Sequence, residues 1–296
     1  MLARRQFLQG MGLAAAALAV GVADAKAPQI KAPSLAQRLA AIERGSGGRL
    51  GVTLLDGNGA TLGGQRQDER FPMCSTFKFL LAAAVLQRVD RGELTLQQRV
   101  QIRAADMLSH APVTERHVGG ALSVAELCQA TMIFSDNPAA NLLFPLVGDP
   151  PGLTRFLRGL GDTQTRSDRH EPEMNRYAAG DPRDTTTPAA MAATLRALLL
   201  GDALQPASRK RLTDWMIDNR TGDACLRAGL TPAWKIGDKT GSNGVDTRND
   251  IAIVWPPGRR TPLLLTAYLN GAKVDDAARD AALKAVAVAV RETLAH

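Results

Sequence analysis

Ser75 and Lys78 stand three places apart, at the head of an almost wholly apolar run, "FKFLLAAAVL" (77–86). Residues three apart on a helix share a face. A buried lysine is costly unless it is paired or deprotonated, and a serine hydroxyl beside it can be its partner. The chemistry this allows is an activated nucleophile, with Lys78 easing removal of the Ser75 proton. Taken alone, the spacing fits a capping serine and a snorkelling lysine at least as well. Two further triplets add to it. Ser135, Asp136 and Asn137 follow sixty residues on, and Lys239, Thr240, Gly241 and Ser242 lead into the strand-like "DIAIVW". In "SDRHEPEMNR" (167–176), Glu171 and Asn175 lie four apart around Pro172. Taken alone, a carboxylate and an amide at that spacing read as part of an ordinary surface loop.

S-x-x-K, S-D-N and K-T-G in this order form the signature of class A β-lactamases and penicillin-binding proteins. The segment around Glu171 and Asn175 resembles the E-x-x-x-N element of class A serine β-lactamases, and the resemblance covers essentially the whole mature chain. It implies that Ser75 opens a β-lactam ring to form an ester, and that Glu171 activates a water, shared with Asn175, to break that ester. The oxyanion donors would be the backbone N–H groups of Ser75 and Ser242. Ser135 would relay a proton to the departing nitrogen, and Asn137 would hold Lys78 and the substrate's side-chain amide. Lys239 and Thr240, in the K-T-G that ends at Gly241, would take the substrate carboxylate. Arg248 is a further candidate for it, and His110 would flank the cleft where relatives usually carry Tyr or Trp. The resemblance also implies a cis Glu171–Pro172 bond and an Arg169–Asp184 ion pair closing a compact loop. Whether Lys78 or Glu171 takes the first proton is left open.

The chain departs from the family in its cysteines. In carbapenem-hydrolysing relatives a cysteine at the position of Cys74 bridges to one just after K-T-G-S, but that second position is Asn243. The family's other bridge lacks a partner too, since Ala82 stands opposite Cys128. Three free thiols (Cys74, Cys128 and Cys225) are therefore expected, and a dedicated carbapenemase is disfavoured. Met174 replaces the commoner leucine before Asn175, a nearly volume-conserving swap. Ser242 hints at good turnover of cephalosporins, oxyimino types included.

The elements that must position these residues are legible in outline. Residues 34–45 carry Leu35, Leu39, Ala40 and Ile42 at helical spacing, with Ser34 as cap. "RLGVTLLDGNGATLGG" reads as two strands around a turn. From about 75 to 215 the segments have helical period. Strand character returns at 250–257 and 261–270, and the chain closes on an amphipathic helix with acidic residues at its start. The expected fold is α/β plus all-α: a discontinuous α/β domain (26–68 and 216–296), whose antiparallel sheet is flanked by the terminal helices, with an all-α domain (69–215) inserted. A cleft between the two would suit a small molecule.

The first 25 residues read as a signal peptide. Arg4 and Arg5 precede an apolar or glycine run from Met11 to Ala23, and "ADA" (Ala23 to Ala25) offers a cleavage site before Lys26. That run is too short to span a bilayer, which needs about 20 residues. "ARRQFLQG", with Phe7 and Leu8 after the arginine pair, resembles a twin-arginine signal for export of a folded bacterial protein to the periplasm. No cysteine follows the cleavage site, so no lipid anchor is expected. Losing Arg4, Arg5 and Asp24 takes the formal charge from +7 to +6. The densest basic run, 209–211, reads as a solvated helix face, so nucleic acid is not an expected partner. With no C-x-x-C, and with His110, His117, His170 and His296 scattered, no metal or other cofactor is expected. A monomeric, secreted serine β-lactamase acting on penicillins and cephalosporins fits best. A penicillin-binding DD-peptidase or transpeptidase and a non-catalytic β-lactam sensor are the alternatives.

Overall fold

A computed structural model describes residues 33–295; the signal peptide expected at 1–25 and His296 lie outside the described residues. The described part of the chain opens on α1 (Leu35–Ser46), capped as expected by Ser34, whose hydroxyl accepts from Gln37 N. The hairpin β1 (Arg49–Asp56) and β2 (Thr61–Gln65) follows. Its turn is tied by Asp56, whose Oδ1 accepts from Asn58 N at 2.9 Å and Ala60 N at 2.8 Å. The helical block holds α2 (Phe77–Asp90), α3 (Val124–Ile133), α4 (Asn137–Leu143), α5 (Asp149–Gly159), α6 (Pro188–Leu199) and α7 (Pro206–Ile217). Short strands interrupt it: β3 (Phe71–Pro72) pairs with β6 (Thr185–Thr186), and β4 (Arg99–Gln101) pairs with β5 (Ala121–Ser123). Then come β7 (Lys235–Ser242), β8 (Arg248–Trp255), β9 (Leu263–Asn270) and α8 (Asp276–Leu294).

The sheet order is β2-β1-β9-β8-β7, antiparallel throughout. Segments from both ends of the described chain thus share one sheet. Side chains alternate across a strand, and the two apolar cores divide by parity. Leu263, Leu265, Ala267 and Leu269 pack with α1 and α8, while Leu264 and Tyr268 pack with the helical block. With both faces covered, β9 is buried along its whole length, which is why it reads as a mostly apolar run with no polar alternation.

Three strand boundaries differ from the sequence reading, the first being the start of β8 at Arg248 rather than 250. β8 ends at Trp255 because Pro256 and Pro257 follow, and β9 starts only after Pro262; proline cannot donate to a central ladder. β7 carries no apolar alternation, "KIGDKTGS", yet pairs with β8 through eight residues. The two-residue β3 and β6 are too short to leave a periodic signal.

Helix α2 is buried on all sides through ten consecutive residues, Phe77 to Leu86, Lys78 among them. A helix that is apolar all round belongs inside a protein. Its N-terminal end therefore delivers Lys78 into the core, beside the sheet edge formed by β7. Among the described residues no helix is long and apolar enough to cross a membrane.

Candidate active site

Ser75 sits in a tight 3-10 turn, Cys74–Thr76, that runs directly into α2. Backbone ties hold this turn from three directions. Asn249 Nδ2 donates to Pro72 O at 2.9 Å and to Met73 O at 3.0 Å, Met73 N donates to Asp184 O at 2.9 Å, and Thr76 Oγ1 donates to Met73 O at 2.8 Å. Strand β7 lies against it so closely that a Cβ on Gly241 would fall 2.8 Å from Met73 O and 3.1 Å from Ser75 N. Only glycine permits that approach.

Lys78 is fully buried. Its Nζ donates to Ser135 O at 2.7 Å, Ser135 Oγ at 3.4 Å and Asn137 Oδ1 at 2.5 Å, and lies 3.4 Å from Glu171 Oε1. The pairing expected with the Ser75 hydroxyl is absent among the described residues. That hydroxyl instead donates to Glu171 Oε1 at 3.5 Å. The physical reason is competition: a buried ammonium has three donors, and a carbonyl, an amide oxygen and a carboxylate satisfy it better than one hydroxyl. Burial still holds the Lys78 pKa below its ordinary value, against the pull of Glu171.

Ser135 has φ +59°, in the left-handed region, at the bend between α3 and α4. There its Oγ accepts from Lys239 Nζ at 3.1 Å as well as from Lys78. Lys239 is buried on β7, and its pKa is pushed down to about 7 by burial first and the Lys78 charge second. Asp136 points away from the cleft: it caps α4 through Ala139 N and accepts from Val113 N, Thr114 N and Thr114 Oγ1. Asn137 Nδ2 donates to Ser109 O at 2.9 Å, and Asn137 N to His110 O at 3.0 Å. His110 lies exposed on the rim with Nε2 2.9 Å from Phe134 O.

The loop from Arg169 to Asp184 closes through the expected ion pair, 2.6 Å long. Asp184 Oδ1 also accepts from Asp168 N at 2.7 Å and Arg169 N at 3.0 Å. The Glu171–Pro172 peptide is cis. Asn141 on α4 grips the Glu171 backbone on both sides, accepting from its N–H at 3.1 Å and donating to its carbonyl at 2.9 Å. The Glu171 side chain is fully buried, and its second carboxylate oxygen accepts from Asn175 Nδ2 at 2.5 Å. Asn175 Oδ1 is buried without a hydrogen-bond partner among the described residues.

On the far wall, Thr240 and Thr221 share a hydrogen bond of 2.5 Å between hydroxyls. The β7–β8 register sets Ser242 opposite Arg248, and directly opposite residues in an antiparallel pair are neighbours. Between these walls lies a cleft of about 440 Å³. Ser75, His110, Ser135, Asn137, Asn175, Thr240, Gly241, Ser242 and Arg248 all line it, with Lys78, Glu171 and Lys239 buried around it. Every site residue expected from the sequence is thus brought to one place.

A model of the β-lactamase enzyme family matches residues 34–294. The L2 β-lactamase of Stenotrophomonas maltophilia is 57% identical over 282 residues, 93% of each chain. A β-lactamase crystal structure from Xanthomonas campestris pv. campestris is 79% identical over 88% of this chain and 97% of that one, with a TM-score of 0.87. The class A β-lactamase of the last common ancestor of Gram-negative bacteria superposes with a TM-score of 0.86 at 56% identity, covering 88% of this chain and 100% of that one. The chain belongs to the class A β-lactamase family.

Within that family the site's supporting residues were the hardest to foresee. Asn141 and Asn249 contact the backbone of the catalytic segments, and no motif announces them. A faint signal existed for Asn249, the middle of three polar residues, Arg248 to Asp250, that open a strand otherwise apolar. Asn141 lies four residues beyond Asn137 and so on the same helical face. The three cysteines are buried and unbridged. Asn243, at the position of the bridging cysteine in carbapenem-hydrolysing β-lactamases, instead ties a turn: its Oδ1 accepts from the N–H groups of Val245, Asp246 and Thr247 at 2.9 to 3.0 Å. Among the described residues no cluster of His, Cys, Asp or Glu could hold a metal.

Proposed function

We propose that this class A family member hydrolyses penicillins and cephalosporins through a Ser75 ester, and so confers antibiotic resistance. The observation that carries the reading is the contact of the Glu171 carboxylate with the Ser75 hydroxyl at 3.5 Å on one oxygen and with Asn175 at 2.5 Å on the other. A water bound to Glu171 and to the free Asn175 Oδ1 would stand next to an ester formed on Ser75. A penicillin-binding peptidase or a single-turnover sensor has no use for such a pair.

In the acylation step Ser75 Oγ attacks the lactam carbonyl and the C–N bond breaks. The hydroxyl proton ends on the ring nitrogen. The 3.5 Å contact favours Glu171 as its first acceptor. Ser135, hydrogen-bonded to both lysines, is suited to pass a proton to the nitrogen. The Ser75 and Ser242 N–H groups face the developing oxyanion, where preorganised donors are most effective. Lys239, Thr240 and Arg248 take the substrate carboxylate, Asn137 its side-chain amide, and His110 packs at the rim. In deacylation Glu171 accepts a proton from the water as its oxygen bonds to the ester carbon. The C–Oγ bond breaks, and Ser75 recovers the proton.

We also propose that residues 1–25 direct export to the periplasm by the twin-arginine route and are removed there, and that the mature enzyme is a monomer. Residues 26–68 and 216–296 would form one wall of the cleft and 69–215 the other.

The test is turnover of a chromogenic cephalosporin by the purified mature protein. Continuous hydrolysis is expected, and Glu171→Ala should turn it into a stoichiometric burst with an ester-linked Ser75 peptide. A single burst from the unaltered protein would replace this reading with the peptidase or sensor.

A further inference from the structure

Arg248 lines the cleft, but its position is set from outside it. Its Nε donates to Asp280 Oδ1 at 2.6 Å and its Nη2 to Thr221 O at 3.3 Å. Asp280 lies in the second turn of α8, on the far side of the sheet edge from the helical block. The same Oδ1 accepts from the thiol of Cys225 at 3.2 Å. Cys225 is fully buried, just before a 3-10 turn, Leu226–Gly229, that packs on α8. Thr221 in turn hydrogen-bonds Thr240. A chain of contacts thus runs from a buried thiol, through a carboxylate, to the guanidinium in the cleft.

A carboxylate is an acceptor only, so Oδ1 needs donors on a defined side to stay in one rotamer. Arg248 supplies one and Cys225 the other. Burial and the nearby Asp250 hold the thiol well above its ordinary pKa, so it remains an S–H donor. Were the thiol lost, Asp280 Oδ1 would keep the Arg248 contact but lose the donor on its other side, and its side chain is 22% exposed to competing water. The guanidinium would then gain freedom in the direction along which it meets a substrate anion. Bidentate recognition of a carboxylate by arginine depends on orientation as well as charge.

We propose that Cys225 is a positioning residue for carboxylate recognition: through Asp280 it orients Arg248, and so sets how strongly the cleft takes a substrate that carries a free carboxylate. This rests on the reading of Arg248 given above. The thiol touches no substrate and undergoes no chemistry.

The experiment compares KM and kcat for benzylpenicillin and for its methyl ester, which lacks the charge. Cys225→Ala is expected to raise KM for the acid about threefold, the size of one net hydrogen bond, with kcat and the KM of the ester unchanged. Cys225→Ser keeps a donor and should restore the acid-to-ester KM ratio to within about twofold of the unaltered enzyme. In an Asp280→Ala background, Cys225→Ala should have no further effect, because two residues acting through one contact are not additive. The KM ratio does not depend on the fraction of enzyme that folds. A shift of equal size for both substrates, no shift, or full additivity with Asp280→Ala would overturn the proposal. Arg248→Ala, run in parallel, separates the two readings. If it changes the ratio and Cys225→Ala does not, only the role of Cys225 falls. If it leaves the ratio untouched, the assignment of Arg248 falls and this proposal with it.

Discussion

Ser135 Oγ stands between two buried amines, 3.4 Å from Lys78 Nζ and 3.1 Å from Lys239 Nζ. That hydroxyl joins Lys78 in the helical wall of the cleft to Lys239 in the K-T-G strand. Removing it as Ser135→Ala should lower kcat/KM about 100-fold or more, in the range of a lost proton-transfer group. Steady-state hydrolysis of a chromogenic cephalosporin measures this. A loss below about tenfold would show that the proton reaches the nitrogen by another route.

Lys239 makes substrate binding pH-dependent. Its pKa is held down to about 7 by burial, then by the Lys78 charge. Above that pH the free enzyme carries Lys239 largely neutral, and a bound carboxylate favours the charged form. Binding near pH 8 should therefore take up a proton. Calorimetry of benzylpenicillin with Ser75→Ala protein, in buffers of different ionisation enthalpy, reads the uptake directly. Lys239→Arg should abolish it, since arginine stays charged.

The same shift has a sign in stability. Between about 7 and the ordinary lysine value of 10.5, the unfolded chain holds a proton at this residue that the native protein does not. Stability from this group therefore rises with pH across that window, and below it the cost of the buried charge is fully present. Urea unfolding of the unaltered protein and Lys239→Met, compared at pH 7 and pH 10, should show the methionine variant gaining most at the lower pH.

Gly241 gives a steric test. A methyl group there would press on Met73 O, Ser75 N and Thr76 N, all backbone atoms within 3.1 Å. Backbone cannot rotate away as a side chain can. Gly241→Ala should cost about 1–3 kcal/mol of stability, the usual range for overpacking. It should also lower kcat, because it separates the strand from the nucleophile turn. Denaturant melts and turnover, measured on one preparation, check both effects.

Asn141 holds Glu171 only by its backbone, so its loss should act on the second half of the reaction. Asn141→Ala is expected to slow deacylation about tenfold by loosening the carboxylate. Mass spectrometry of quenched reactions would then detect an ester at Ser75 that the unaltered enzyme does not accumulate. An acylation defect without ester would refute this role.

Much of the fold and site was legible in local pattern. The run "LLLTAYLN" announced a strand, though not that both its faces are buried, and Ser34 announced the start of α1. The order Ser75-x-x-Lys78, Ser135-Asp136-Asn137, Lys239-Thr240-Gly241 carried the resemblance that implied the chemistry, because the spacing within each motif is a property of the chain alone. The bracketing pair Arg169 and Asp184 also met as expected, since both lie on one loop.

Who pairs with whom across the cleft was decided only by tertiary structure. The sequence set Lys78 one helical turn from Ser75, but the fold presents it with the oxygens of Ser135, Asn137 and Glu171 and turns the serine toward the carboxylate. Likewise "KIGDKTGS" has no strand period and becomes β7 only because β8 pairs with it. Local spacing determines which face a residue takes; a buried donor's partner depends on which acceptors distant segments bring near it, and nothing in the neighbouring letters records that.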